Sequence, residues 1–427
     1  MGMKSMDELA LHGGQPVRTK PWVSKYLGSE EVGAEEKDRV LQVLNKKRIF
    51  RYLPAAIETS ECSALEEEYK AFLGTKYALG VNSGTSALIC ALVAAGVGPG
   101  DEVLLPAYTW VGSAAAITLV GAVPVLCEID SSLTLDPNDM AKKVTAHTKA
   151  VLVVHMRGIS ADMDAIIAVA QERGIRVIED VAQANGGTYR GRMLGSIGDL
   201  GCFSLQQSKV ITAGEGGMLV TQGEELWQRA VLYHDGAGYQ FRFTERKIPA
   251  FPGQNYRLTE LQAALCLGQL GKLPTILERT KANKQQLVHA LRQVLGIELS
   301  PVFGTERDLG VSLIFYVKDG TSAHWVSRAL TAEGIPAFHV YDPQEKDQHI
   351  YINWEFLVGK RDPWGGSYPW SLHPAREMDY SQDSCPRSLG LLNRAVQIHL
   401  NHLATEEDRK DILAAIRKVT AHLGSGR

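Results

Sequence analysis

Apolar positions along the first half of the chain recur in short runs separated by longer segments with helical spacing. Strand-like runs cover residues 77–81, 102–105, 123–129, 150–154 and 175–178, and helical spacing covers 35–44, 63–73, 87–96, 110–120, 137–144, 162–174 and 224–233. Continuous apolar strands that alternate with helices are typical of a mostly parallel sheet covered on both faces. The pattern therefore predicts an α/β fold.

The pattern changes after a long helical region from residue 259 to about 294. Strands are predicted at 311–317, 337–340 and 396–400, and helices at 323–333 and 406–423. Residues 342–385 are rich in Trp, Pro, Asp and Tyr and lack periodicity, which favours a surface insertion or a substrate lid. We predict an irregular N-terminal extension (1–30), a large domain (31–270), and a smaller α+β domain (271–427) that carries the 342–385 insertion.

Composition narrows the class of protein. The chain has 427 residues and a formal net charge of −3, without a basic patch typical of nucleic-acid or membrane-surface binding. Six cysteines are scattered without metal-ligand spacing, which indicates reduced packing residues and no metal site. The first six residues lack a long apolar run, and no run reaches membrane-spanning length. We expect a cytoplasmic protein.

Lys209 lies between a strand-like run (200–205) and a glycine-rich turn, Gly214-Glu215-Gly216-Gly217, that leads into a second run (218–220). An amine on such a turn suits an enzyme that forms a Schiff base with a bound aldehyde. The alternative is a solvated lysine on a hairpin loop, and the pattern taken alone favours this alternative.

Three further positions follow predicted strands, where open α/β sheets bind ligands. The strand-to-helix turn 82–86 is either a phosphate site, with Ser83, Gly84 and Thr85 at a helix N-terminus, or an ordinary helix cap. Asp180 pairs with a pyridinium N–H, or it forms a structural salt bridge or caps a helix, and Gln183 could point the same way. Trp110 either stacks on a flat ring or packs in the core. No dinucleotide fingerprint, P-loop or Gly-x-Ser-x-Gly elbow is present.

Together these motifs resemble the DegT/DnrJ/EryC1/StrS sugar aminotransferases, which are pyridoxal-phosphate (PLP) enzymes of fold type I. The matching stretches, in order, are Ser83–Leu88, 98–103, 106–110, 161–164, 179–184, Gly198-Asp199, 203–209, 214–217 and 255–264. The resemblance covers most of the chain.

The resemblance implies a role for each matching residue. Lys209 would form the Schiff base with PLP, Asp180 would pair with the pyridine nitrogen, and Gln183 would contact the ring hydroxyl. Trp110 would stack on the ring, and the phosphate would be held by Ser83, Gly84, Thr85 and Ser204. Asn255 would reach the phosphate of a neighbouring subunit, which implies a homodimer with shared active sites.

The implied reaction moves an amino group from glutamate or glutamine to a keto-sugar or keto-cyclitol, in amino-sugar or aminocyclitol biosynthesis for an antibiotic or a cell-surface glycan. Relatives with histidine in place of the lysine are dehydratases, so Lys209 favours transamination. A dehydratase, an aminoshikimate-type enzyme and a non-catalytic regulatory homologue remain as alternatives.

The chain departs from the family pattern at Ser160, where a proline is common. Nearby Arg157 follows a strand, and its planar guanidinium could bind a carboxylate of the donor or of an acidic sugar, or form a structural salt bridge. His339 and His399 are candidates to contact substrate from the small domain, with core or surface roles as the alternative.

Overall fold

The computed structural model describes residues 8–52, 60–242, 245, 247–372 and 378–423. Residues 1–6, whose lack of a long apolar run contributes to the expectation of a cytoplasmic protein, lie outside these ranges. None of the helices in the described part of the chain combines the length and the apolar character needed to span a membrane.

Residues 77–221 contain a seven-stranded sheet. Its strands are β1 (Tyr77–Val81), β2 (Glu102–Pro106), β3 (Val123–Cys127), β4 (Thr148–Val154), β5 (Arg176–Asp180), β8 (Leu200–Ser204) and β9 (Gly217–Thr221), while β6 (Thr188–Tyr189) and β7 (Arg192–Met193) form a separate hairpin that the sequence did not indicate. The order across the sheet is β1-β9-β8-β5-β4-β2-β3, and β9 alone runs antiparallel to its neighbours. The predicted mostly parallel sheet is confirmed.

Helices pack against the sheet and also occur near both ends of the described chain. They are α1 (Ala34–Lys46), α2 (Glu61–Leu73), α3 (Gly84–Ala94), α4 (Val111–Leu119), α5 (Pro137–Lys143), α6 (Met163–Arg173), α7 (Glu224–His234), α8 (Glu260–Leu291), α9 (Gly320–Ala332), α10 (Glu355–Val358), α11 (Pro386–Asn393) and α12 (Glu406–Thr420). Each predicted helix is confirmed within a few residues. The sequence did not predict α10 and α11, which are short and lie in or beside the segment without periodicity.

Helix α8 joins the two halves of the chain. It begins at the Thr259 cap, where the Thr259 hydroxyl accepts from the Gln262 N–H, and it runs through Pro274 without interruption. The predicted boundary at residues 270–271 therefore falls inside one continuous helix. The division into domains stays a prediction.

A second, antiparallel sheet follows, with β10 (Ser312–Tyr316), β12 (Ala395–His399) and β11 (Ala337–His339) in that order across it. The N-terminal segment packs against this half of the molecule. Arg18 is buried and forms ion pairs of 2.7 and 2.9 Å with Asp408 and Asp411 of α12. The extension is thus attached to the C-terminal part of the fold.

Residues 342–385 are not simply a surface insertion, which corrects that part of the expectation. The side chains of Ile350, Tyr351, Trp354 and Leu357 are fully buried, whereas Trp364 is 83% exposed. The backbone of this segment pairs with the loop after β2, through the N–H of Thr109 and the carbonyl of His349 at 2.9 Å. Residues 373–377 of the segment lie outside the described part.

Candidate active site

A cavity of about 430 Å³ opens at the carboxyl ends of β2, β4, β5 and β8. Parallel strands bring their carboxyl ends to one edge of the sheet, so residues distant in sequence meet there. The predicted residues that line it are Ser83, Gly84, Thr85, Trp110, Asp180, Gln183, Ser204 and Lys209. The structure thus brings together every predicted cofactor contact except Asn255.

One end of the cavity is the N-terminus of α3. The Ser83 hydroxyl accepts from the N–H of Ser86 at 3.0 Å, which leaves the N–H groups of Gly84 and Thr85 in the unpaired first turn. A Cβ at Gly84 would approach Cβ of Ser204 to 2.8 Å. The glycine therefore permits close packing of the helix start on β8, and the N–H groups and hydroxyls together suit an anion.

Asp180 lies at the end of β5 and is 5% exposed. Its carboxylate accepts hydrogen bonds from the Ser113 hydroxyl at 2.9 Å and from the N–H of Ala182 at 3.0 Å. Burial raises the pKa of this carboxyl, and the two donors and the charge of Lys209 only partly offset that effect. A cation in the cavity, such as a protonated ring nitrogen, would stabilise the ionised form.

Lys209 follows β8 on the loop that precedes β9, and its side chain lines the cavity. Burial lowers the pKa of its amine, and the charge of Arg157 lowers it further, while Asp180 and Glu215 act in the opposite direction. A lowered pKa increases the fraction of neutral amine, which is the nucleophilic form.

Trp110 is 49% exposed, so a face of its ring is open, and its ring centroid lies 5.1 Å from that of His349. His349 also lines the cavity but was not predicted. Burial and the charge of Arg157 lower its pKa to about 4, although its Nδ1 lies 2.6 Å from a carboxylate oxygen of Asp347. Because it lies in the segment without periodicity, no sequence signal marked it.

The side chain of Gln183 forms a hydrogen bond with the backbone of Arg157. Oε1 of Gln183 accepts from the N–H of Arg157 at 3.0 Å, which leaves the Gln183 amide NH₂ free to donate toward a ring oxygen. The Arg157 guanidinium donates through Nε to the hydroxyl of Tyr108 at 3.1 Å and lies 3.6 Å from Asp347. These contacts are compatible with either role of Arg157, which are binding a substrate carboxylate and forming a structural salt bridge.

A second cavity of about 310 Å³ shares Lys209, Gln183 and His349 with the first. Arg157 and His399 line it, as do Lys25 and Tyr26 of the N-terminal segment, which sequence reasoning did not connect with the site. Burial, Arg157 and Lys25 lower the pKa of His399 to about 4.

His339 lines neither cavity, which corrects the expectation that it contacts substrate. Its Nε2 instead lies 2.8 Å from the carbonyl oxygen of Asn393. The ring therefore contacts Asn393, the last residue of α11, and faces His324 of α9 with the ring centroids 6.3 Å apart.

Asn255 also lies away from the cavity of its own chain. It is exposed and forms a backbone bridge with Asp235. This position leaves its side chain available to another molecule.

At Ser160, the departure from the family's proline has a structural counterpart. The N–H of Ser160 donates to the carbonyl of Arg307 at 2.8 Å, and the Arg307 guanidinium returns a hydrogen bond to the Ser160 carbonyl. Proline has no N–H and would lose the first of these bonds.

The DegT/DnrJ/EryC1/StrS aminotransferase family model matches residues 30–356. The chain is 36% identical over 434 residues to an L-glutamine:2-deoxy-scyllo-inosose aminotransferase from Streptoalloteichus tenebrarius, with 98% of this chain and 99% of that protein covered. It is 34% identical over 439 residues to a putative L-glutamine:3-amino-2,3-dideoxy-scyllo-inosose aminotransferase from Micromonospora echinospora, with 98% of each chain covered.

Among solved structures, 3-amino-5-hydroxybenzoic acid synthase is similar with a TM-score of 0.77 and 27% identity, covering 96% of this chain and all of the other. An aminotransferase from Psychrobacter cryohalolentis gives a TM-score of 0.76 and 27% identity, covering 94% and 99%. The chain therefore belongs to the DegT/DnrJ/EryC1/StrS aminotransferase family and is a PLP-dependent aminotransferase of fold type I.

Proposed function

We propose that this enzyme transfers the α-amino group of L-glutamine to the ketone carbon of a cyclitol, with L-glutamate and keto-sugars as the competing donor and acceptor. The observation that carries the proposal is that Lys209 lies in the wall shared by the two cavities. One cavity has the features of a cofactor site, and the other is lined by polar side chains. The Lys209 amine lies where the two cavities meet, so it can reach atoms bound in either cavity.

The residues of the first cavity fit PLP. Bound PLP supplies an aldehyde that reacts with amines and a pyridine ring that withdraws electrons from the attached carbon. In our proposal the first turn of α3 and the Ser204 hydroxyl hold the phosphate, and Trp110 covers one ring face. Asp180, whose pKa burial raises, would pair with the protonated ring nitrogen, and the Gln183 amide would donate to the ring hydroxyl.

Lys209 would hold the cofactor through Nζ, and its free amine would accept and return the proton of the donor carbon. Its lowered pKa provides a neutral amine that can accept a proton from the donor carbon, and Asp180 stabilises the resulting cation. The Ser113 hydroxyl holds the Asp180 carboxylate in place by donating a 2.9 Å hydrogen bond to it. The three side chains, Lys209, Asp180 and Ser113, all line the first cavity.

The second cavity supports a small polyhydroxylated acceptor. Gln183, Ser312, Gln397 and His399 offer neutral donors and acceptors, since the lowered pKa of His399 keeps its imidazole uncharged at neutral pH. The similarity to two enzymes named as L-glutamine:inosose aminotransferases extends over nearly the whole chain, which favours glutamine and a cyclitol over the other pairs.

The test uses L-glutamine labelled with ¹⁵N at the α-amino group, with 2-deoxy-scyllo-inosose in one reaction and a nucleotide-linked keto-sugar in another. We expect ¹⁵N in the cyclitol product by mass spectrometry and little in the sugar. Glutamine labelled only at the side-chain amide should leave the product unlabelled. A label that enters the sugar alone would contradict the proposed acceptor.

The same assay separates the alternatives. Loss of water without incorporation of nitrogen would indicate a dehydratase, and an aromatic product would indicate an aminoshikimate-type enzyme. A protein that gains no visible absorption band with added PLP, or whose band is unchanged in Lys209→Ala, would be a non-catalytic homologue.

We also propose a homodimer in which Asn255 completes the phosphate site of the partner subunit. Asn255 is exposed on its own chain, and three large apolar side chains near this region are more than half exposed: Ile49 at 56%, Phe50 at 51% and Phe241 at 62%. Phe50 and Tyr52 contact each other edge to face, and Tyr52 stacks on Phe241. Such a patch is typical of an interface between subunits.

Sedimentation velocity should give twice the chain mass, and Phe241→Glu should shift the protein toward monomer. Asn255→Ala should remain dimeric but bind PLP at least tenfold more weakly, by the loss of hydrogen bonds to a charged group. A monomeric wild-type protein with full activity would rule out the shared site.

A further inference from the structure

Three side chains that lie outside both cavities converge in the small domain. His324 is on α9, His339 is the last residue of β11, and Asp342 follows three residues later. One potential ligand atom of each lies within 4.8 Å of those of the other two, and Nδ1 of His324 is 3.0 Å from Oδ2 of Asp342. Two imidazoles and a carboxylate are ligands that Zn²⁺ and neighbouring transition metals prefer.

His339 supplies an independent observation that points to a ligand. Its Nε2 lies 2.8 Å from the carbonyl oxygen of Asn393, and because a carbonyl only accepts, Nε2 must carry the hydrogen. Nδ1 then holds a lone pair. Nδ1 is buried and has no hydrogen-bond partner among the described residues, in a side chain that is 7% exposed. Unpaired buried acceptors are rare, so the lone pair calls for an explanation.

This arrangement is the one that metal-binding histidines use. A ligating imidazole commonly donates its other N–H to a backbone carbonyl, which fixes the tautomer and orients the ring.

We propose that His324, His339 and Asp342 bind one divalent transition-metal ion, with Zn²⁺ as the reference ion, and that water completes the coordination. In a tetrahedral zinc site with bonds of about 2.1 Å, ligand atoms lie about 3.4 Å apart. The His324–Asp342 separation is already close to that spacing. The His324 side chain is 35% exposed, so it can rotate toward the ion and leaves a path for entry from solvent.

The position of this cluster gives the ion a structural consequence. Asp342 opens the segment that carries His349 to the catalytic cavity, with Asp347 paired to the His349 ring. An ion bound to Asp342, to α9 and to β11 would fix the start of that segment to the small domain. The inference does not depend on the identity of the substrate, since no ligand of the ion lines either cavity.

The test uses untagged full-length holoenzyme, because a histidine tag binds zinc. The protein is treated with EDTA, dialysed to remove chelator and free PLP, and titrated with ZnCl₂ by calorimetry, with bound metal then measured by mass spectrometry. We expect one Zn²⁺ per chain and a zinc-dependent rise in Tm, because an ion that binds only the folded state stabilises it. His324→Ala and Asp342→Asn should each weaken binding at least about tenfold and remove most of the rise in Tm.

His289→Ala is the matched control, because His289 is an exposed histidine on α8 and lies outside the cluster. It should bind zinc as the wild type does. The two test variants change partly exposed side chains, so the test does not rely on altering the buried His339. A wild-type protein that takes up no zinc at about 100 μM, or a His324→Ala variant that binds it with wild-type affinity, would overturn the proposal.

Discussion

The backbone N–H of Arg157 donates a hydrogen bond to Oε1 of Gln183 at 3.0 Å, and Arg157 adopts a left-handed conformation with φ of 53°. A residue other than glycine seldom occupies this region, so the conformation costs about 1 kcal/mol and is held by its surroundings. The same turn directs the guanidinium into the second cavity. One strained residue thus connects the predicted contact for the PLP ring with the wall of the substrate cavity.

Arg157→Gly should separate the role of the side chain from that of the backbone. Glycine accepts the left-handed conformation, so we expect the free energy of unfolding to stay within about 1 kcal/mol of wild type. If the guanidinium binds a substrate carboxylate, its loss should reduce kcat/KM about 10- to 100-fold, mainly through KM.

Arg190→Gly is the control for this substitution. Arg190 also has a positive φ, of 48°, but lies on an exposed turn and pairs with Asp164. It should retain wild-type kinetics. Unchanged KM values for both donor and acceptor in Arg157→Gly would assign Arg157 to the salt bridge with Asp347 instead.

Gly84→Ala should weaken PLP binding. The added Cβ would lie 2.8 Å from Cβ of Ser204, which forces the start of α3 away from β8 and displaces the N–H groups proposed to hold the phosphate. We expect the dissociation constant for PLP, measured from the cofactor absorption band, to rise at least about tenfold.

Gly98→Ala provides the comparison, because a Cβ at Gly98 would meet no atom within 4 Å. It should bind PLP normally and melt close to wild type. Equal PLP affinity in the two variants would mean that the helix start is not the phosphate site.

The features that the sequence predicted are those with local patterns. The strands of the seven-stranded sheet are mostly buried and consist of continuous apolar runs. Asp180 ends one such strand, and Trp110 lies four residues after another. His349 could not be predicted, because its approach to Trp110 depends on backbone pairing between the loop after β2 and a segment distant in sequence.

The orientation of histidines in the small domain also escaped prediction. His339 and His399 both end strands of the same sheet, yet His399 lines the second cavity and His339 faces α9. Which face of a short strand points to a ligand depends on its register against its neighbours, and three residues carry too little pattern to fix it. For the same reason, the sequence pattern did not predict the cluster of His324, His339 and Asp342.

His399 should make the stability of the cofactor-free protein depend on pH. Its pKa is lowered to about 4, chiefly by burial and then by Arg157 and Lys25, whereas an unfolded histidine titrates near 6.5. Between these values the unfolded chain binds more protons, so the free energy of unfolding falls as pH drops from 6.5 toward 4. We therefore expect the folded protein to lose stability on acidification.

His399→Gln removes this titration. Between pH 7 and pH 5, urea unfolding of the wild type should lose about 1–2 kcal/mol more than that of the variant. Because the other titrating groups are common to both proteins, the difference reports on His399. Parallel losses in the two proteins would show that His399 titrates normally in the folded state.

The buried ion pair between Lys284 and Asp308 should stabilise the region behind Arg157. Nζ of Lys284 lies 2.6 Å from Oδ2 of Asp308, both side chains are 1% exposed, and Asp308 also accepts from the N–H groups of Gly304 and Gly310. The N–H of Leu309 donates to the carbonyl of Gly158, so this segment supports the turn that carries Arg157.

Asp308→Asn leaves the Lys284 amine buried without its counter-charge, and we expect a loss of about 3–5 kcal/mol in the free energy of unfolding. Lys284→Met should cost less, because Asp308 keeps two N–H donors and the methionine fills much of the same volume. The double variant should recover part of the loss of Asp308→Asn, since no unpaired cation remains. Denaturation of all four proteins gives the coupling energy directly, and strictly additive losses would show that the two charges do not stabilise each other.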